Sequence, residues 1–170
     1  MAKVFDIRHA VAPINGYTSM NISNIKTFGL PRSRKIIKAD AFASALRMRV
    51  CARTEYFVLH FMAHRPHPSA LTQAHAQLGL VIPKRLAKHA VRRNTLKRLT
   101  RECFRLRAVH LPAGLWVVRL QRNVNTLSPT PAQKKIWAEE LMVLFDQGQA
   151  FAAQLTTPSP NRSSVGVQPS

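Results

Sequence analysis

The patterning of this 170-residue chain predicts an α/β domain. Apolar residues recur at helical spacing in three stretches, short runs rich in β-branched and aromatic residues fall between them, and Pro- or Gly-containing breaks separate the two kinds. An apolar content of 46% is enough for one core, so a single folded unit is expected over residues 26–155. Residues 1–25 mix Gly, Asn, Ser and isolated apolar side chains without period, and the tail TTPSPNRSSVGVQPS is turn-forming and nearly uncharged. Both ends, 1–25 and 156–170, are expected to be disordered.

After the basic stretch PRSRKIIK, residues 40–49 place Phe42, Ala45 and Leu46 at i, i+3 and i+4, which predicts a short amphipathic helix. The run EYFVLHFMA at 55–63 predicts a strand, a Pro- and His-containing stretch at 64–76 breaks the pattern, and 78–82 predicts another. These are expected as two adjacent strands with a loop between. Residues 90–107 form a long helical stretch, 112–114 make a turn, and LWVVRL at 115–120 predicts a third strand. Thr130, Pro131 and Gln133 then supply an N-cap, a proline at the first helical position and a capping-box partner. The last helix should run from 131 to about 154 with Trp137, Leu141, Leu144 and Phe145 inward. No internal repeat is visible.

Charge narrows the function. The chain carries 26 Lys and Arg against 7 Asp and Glu, for a net charge of +19 and a pI near 11.6. Residues 84–107 hold ten of those cations and one acid, Glu102. On a helix, Arg93, Asn94, Lys97, Arg98, Arg101 and Arg105 gather on one side, while Leu96, Leu99, Cys103 and Leu106 gather on the other. Like charges at these spacings repel, so such a helix needs packing on its apolar stripe and an anionic partner. A charged helix face is usually just solvated, but solvated faces mix signs and this one is almost purely cationic. Nucleic acid is therefore the expected partner, with guanidinium forks suited to phosphate and base edges and Lys acting as a point charge.

Other classes are disfavoured. No apolar run approaches the roughly 20 residues that span a bilayer, so no membrane partner is expected. Cys51 and Cys103 lack a CxxC spacing, and Cys103 falls on the apolar stripe, so a buried reduced thiol and a reducing cytoplasm are expected. His64, His67 and His75 lie close together, yet their Pro-rich loop offers no Cys or carboxylate partner for a metal. Asp6, Asp40, Glu55, Glu102, Glu139, Glu140 and Asp146 are scattered, which argues against a two-metal nuclease centre. Trp116 and Trp137 are expected in the core.

The segment Arg93-Asn94-Thr95-Leu96-Lys97-Arg98-Leu99-Thr100-Arg101-Glu102 resembles the RNxxKRxxR signature of the bacterial ribonuclease P protein family at every defining position. The similarity extends from Leu78-Gly79-Leu80 through Pro83-Lys84-Arg85 to Trp116-Val117-Val118, and more loosely from Phe28 to the last helix. The resemblance implies a two-layer α+β sandwich: a small mixed sheet packed by helices on one face, related to a ribosomal-protein domain, with a left-handed βαβ crossover at the basic helix. It implies the accessory subunit of an endoribonuclease that removes the 5′ leader of precursor tRNA. Catalysis would lie in the RNA subunit with Mg2+, with no catalytic residue, metal site or small-molecule substrate in this chain.

By the same resemblance, Lys84, Arg85, Arg93, Asn94, Lys97, Arg98, Arg101 and Arg105 would bind the catalytic RNA. The leader would lie in a cleft between the first helix and the sheet, lined by Phe42, Leu46, Val58, His60 and Val81. Where many relatives carry aromatics, this chain has Leu46 and His60, so leader affinity is expected to be weaker, with Val58 and Val81 only shaping the cleft. Phe42 could equally pack in the core, and His60 could equally be a satisfied strand histidine. Residues 1–19 look like an addition relative to the family, which makes Met20 a candidate initiator. A ribosomal or ribosome-assembly protein would share the charge and size, and a protein-only nuclease would need the carboxylate cluster the acids do not suggest.

Overall fold

A computed structural model of the chain describes residues 29–64 and 75–156. The expectations placed on 1–28, 65–74 and 157–170, among them the disordered ends, Met20 and His67, lie outside the described residues. After a 3-10 turn at Arg32–Arg34, the elements are α1 (Ala39–Arg47), β1 (Val50–Arg53), β2 (Phe57–Ala63), β3 (Ala76–Val81), α2 (Ala90–Arg107), β4 (Gly114–Leu120) and α3 (Pro131–Thr156).

All three expected helices and all three expected strands form, with ends shifted by a few residues. At the start of α3, Thr130 Oγ1 accepts the Gln133 N–H at 3.2 Å with Pro131 at the first helical position. The reciprocal half of the capping box is replaced, because the Thr130 N–H donates to Ser128 O at 2.8 Å. The fourth strand, β1, was not expected from sequence. Its four residues include one β-branched side chain and follow the end of α1 by two residues, so its strand state comes from pairing with β2 rather than from local pattern. The register shifts between Val50 and Ala52, leaving Cys51 as a bulge residue.

The sheet order is β1-β2-β4-β3. The two strands expected as neighbours, β2 and β3, are therefore separated. β4 returns between them, antiparallel to β2 with Phe57 opposite Leu120, and parallel to β3 with Leu78 opposite Trp116. A parallel pair needs a long crossover, and α2 supplies it. The outer edge of β3 is partly covered by Lys35, which bridges to Leu78, and by the Ile36 N–H, which donates to Leu78 O at 3.1 Å.

The mixed sheet packed by helices is as expected, but the helices are not confined to one face. Phe57, Leu59 and Phe61 of β2, with Trp116, Val118 and Leu120 of β4, share a core with Leu96 and Phe104 of α2 and with Trp137, Leu141, Leu144 and Phe145 of α3. Phe61 and Trp116 sit with ring centroids 4.4 Å apart, and Phe104 meets Phe145 at 5.8 Å. The alternate residues Leu115 and Val117 pack instead with Ala45 of α1, joined by the half-buried Ile36, Phe42, Leu46, Met62 and Val81. The physical reason is in the strands: five successive residues of both β2 and β4 are buried, so each face needs a cover. Gly148 lets α3 approach the sheet closely, since a Cβ there would stand 2.4 Å from Leu59 and 3.0 Å from Trp116.

Candidate nucleic-acid interface

On α2 the buried residues are Arg92, Leu96, Thr100, Cys103 and Phe104, with Leu99 packed partly against the core. This turns Asn94, Arg98 and Arg105 fully outward and leaves Arg93, Lys97 and Arg101 half-buried along the margin. Lys84, Arg85 and Lys88 are exposed on the loop leading into the helix. Among the described residues no carboxylate pairs with Lys84, Arg85, Lys88, Lys97, Arg98 or Arg101. Their charge is thus available to an anion.

Besides the buried Arg92, three arginines of α2 are committed elsewhere. Arg105 donates from Nε to Glu102 Oε2 at 3.2 Å, so the far end of the expected basic face is partly neutralised. Arg107 joins Asp146 of α3 at 2.8 Å. Burial pushes the Asp146 carboxyl above its usual range, opposed by the Arg107 charge. Arg93 turns back toward the preceding loop, its Nη1 donating to Ala87 O at 3.0 Å and to Lys88 O at 2.5 Å.

The expected cleft residues divide. Phe42 is half-buried and lies over Gly79 of β3, where a Cβ would meet its ring at 2.6 Å. Leu46 and Val81 line an open cleft of about 350 Å³ together with Pro83, Arg85, Leu86, Arg119, Leu120 and Gln121. Val58 and His60, by contrast, are 0% and 6% exposed. They lie on the α1 side of the inner strand β2, Val58 between Arg53 and Arg119 and His60 between Val50 and Val117, and present no surface. His60 Nδ1 bonds Met48 O at 2.9 Å, while its buried Nε2 has no partner.

Two cations were missed from sequence. The register aligns Arg53, Val58, Arg119 and Val81 across all four strands on the α1 side, so two exposed arginines flank a fully buried valine. Arg119 had a signal, since strand alternation in LWVVRL sets it on the face opposite Trp116, Val118 and Leu120. Arg53 had none without β1. Arg85 belongs to both surfaces, bordering the cleft and standing beside the entry to α2, so the basic helix and the cleft are joined through the β3–α2 loop.

The described acids are mostly engaged one by one. Glu102 holds Arg105, Asp146 holds Arg107, Glu55 pairs with Arg122, and Glu140 accepts the Tyr56 N–H at 2.9 Å. His75 Nε2 lies 3.3 Å from Ser33 O, and among the described residues no three His, Cys, Asp or Glu side chains come together as metal ligands. Cys51 and Cys103 are both free, and burial pushes each thiol up to about 12. No described helix is long and apolar enough to cross a membrane.

The profile of the family described as Ribonuclease P matches residues 30–141. The chain is 42% identical over 110 residues to the ribonuclease P protein component of Bordetella parapertussis, covering 65% of this chain and 88% of that protein. It is 33% identical over 141 residues to the corresponding component of Ralstonia pickettii, covering 82% and 96%. The structure of Staphylococcus aureus RNase P protein superposes with a TM-score of 0.55 at 20% identity, over 69% of this chain and 97% of that one. The RNase P protein from Thermotoga maritima gives 0.50 at 24% identity, over 65% and 93%. These two structures are similar in fold.

Proposed function

The chain belongs to the ribonuclease P protein family and is a subunit of that ribonucleoprotein, and from that premise we propose that it binds two RNAs through two joined surfaces. Lys84, Arg85, Asn94, Lys97, Arg98 and Arg101 grip the catalytic RNA, mostly through phosphates. The cleft beside α1, with Phe42, Leu46 and Val81 and the flanking Arg53 and Arg119, holds the 5′ leader of precursor tRNA. The chemistry of leader removal rests with the RNA subunit and its Mg2+, and the chain works in the cytoplasm where precursor tRNA is processed.

The observation that carries this reading is the placement of Arg85, which borders the cleft and stands beside the entry to α2. A strand in the cleft would leave it against the same cationic loop that meets the catalytic RNA. The engagement of Glu55, Glu102, Glu140 and Asp146 in pairs and backbone contacts supports a binder rather than a nuclease. The test is reconstitution: purified chain, an in vitro transcribed bacterial ribonuclease P RNA and precursor tRNA at low, near-physiological Mg2+, with each component omitted in turn. Leader release that needs both protein and RNA is expected. Release by protein alone would make it a nuclease, and no stimulation of an RNA active at high Mg2+ would favour a ribosome-associated role.

A further inference from the structure

The loop between β3 and α2 is pinned at four consecutive carbonyls. Arg85 O accepts from Asn125 Nδ2 at 3.0 Å and Leu86 O from the Val124 N–H at 2.9 Å, while Ala87 O and Lys88 O both accept from Arg93 Nη1. Asn125 also returns its Oδ1 to the Lys88 N–H at 2.6 Å. One amide side chain therefore spans the loop from Arg85 to Lys88, and a guanidinium secures its exit into the helix.

The segment that holds the loop is itself anchored. Val124 is fully buried, Asn123 Oδ1 accepts the Asn125 N–H at 2.8 Å, and the buried Arg92 donates from Nε to Leu127 O at 2.6 Å. Arg92 and Arg93, adjacent in sequence, thus fix the two loops from one turn of α2. A flexible loop presenting Lys84, Arg85 and Lys88 would lose conformational entropy on meeting phosphate, whereas a pinned one has lost it on folding.

We infer that Asn125, with Arg93, is a positioning residue for RNA binding: it preorganises the Arg85–Lys88 backbone so that three exposed cations meet phosphates in a fixed arrangement. The inference rests on the proposed RNA-subunit surface and deepens it. It gives Arg93, the first residue of the basic signature, a role directed at the protein's own backbone. Asn125, outside that signature and uncharged, acts only through its neighbours.

The test compares Asn125→Ala, a Lys84→Ala/Arg85→Ala/Lys88→Ala triple variant, and the two combined. Affinity for an in vitro transcribed ribonuclease P RNA is measured across a salt series, with folding checked by circular dichroism. Asn125→Ala leaves the net charge unchanged, yet it is expected to weaken binding about 5- to 10-fold and to flatten the plot of log affinity against log salt by roughly one phosphate contact. Added to the triple variant it should change nothing further, since its targets are gone. An equal loss in both backgrounds, or unaltered affinity and slope in the wild-type background, would overturn the inference. A triple variant that binds as well as wild type would instead overturn the RNA-surface reading beneath it. Should Asn125→Ala not fold, Asn125→Ser, too short to span the loop, is read in its place with the same outcomes.

Discussion

Phe42 of α1 rests its ring on the backbone of β3 at Gly79, so closely that a single methyl group there would meet the ring edge at 2.6 Å. The glycine is thus a seat for the aromatic side chain, and a side chain at that position should displace the Phe42 ring while leaving residue 42 itself unchanged. Gly79→Ala is expected to tilt the ring out of place and reduce the preference for precursor over mature tRNA, with affinity for the catalytic RNA preserved. Binding of the two tRNA forms to the reconstituted holoenzyme measures this. Unchanged discrimination would mean that the ring does not contact the leader.

Removing the ring itself should separate the two surfaces. Phe42→Ala is expected to cost precursor binding up to about 1 to 3 kcal/mol, the range of one stacked base. Arg98→Ala with Arg101→Ala should weaken catalytic-RNA affinity and flatten its salt dependence, each lost phosphate contact lowering the slope by about 0.7 to 0.9. Filter binding with each RNA in turn checks both. The same defect from both variants would defeat the division into two surfaces.

Gly148→Ala tests the close approach of α3 to the sheet. Alanine favours a helix by about 1 kcal/mol over glycine, but the added methyl meets the buried Leu59 and Trp116. Overpacking of this kind typically costs about 1 to 3 kcal/mol, so net destabilisation is expected. Urea unfolding would show a lower midpoint with an unchanged slope. A raised midpoint would mean that the core yields there more easily than its packing suggests.

Cys103 gives a pH signature. Burial raises its thiol from the ordinary 9.0 to about 12 in the folded chain, while the unfolded chain keeps the ordinary value. Its contribution is therefore complete below pH 9.0 and is lost between pH 9.0 and about 12 as the unfolded thiol ionises first, by at most about 1.4 kcal/mol per pH unit. Cys103→Ala should show a shallower fall in stability over that window when thermal melts are compared. At neutral pH, alkylation of Cys103 should wait on unfolding. Rapid labelling of the folded protein would contradict its burial.

Much of the candidate interface was legible because its geometry rests on local period. The basic face of α2 follows from the spacing of Arg98 and Arg101 against Leu96 and Cys103, and the start of α3 from Thr130 and Pro131. Phe42 and Leu46 were readable as one side of a short helix for the same reason. Arg92 was not, since its spacing gives no hint that Leu127 O, far along the chain, receives its Nε. For His60 a strand histidine and a leader contact were left equally open, because its burial and the Nδ1 bond to Met48 O depend on a residue from the end of another element.

The sequence by itself determined the helices, three of the strands, the cationic face and the family, all properties carried by residues within a few turns or strand lengths of one another. Tertiary structure alone decided that β1 exists, that β4 enters between β2 and β3, that α1 covers the face opposite α2 and α3, and that Arg53 aligns with Arg119. It also decided that Arg93 faces the loop at Ala87 and Lys88. The reason is physical: helical and strand periods are set by near neighbours, whereas register, burial and side-chain hydrogen bonding are set by whichever distant segment the closed fold brings alongside.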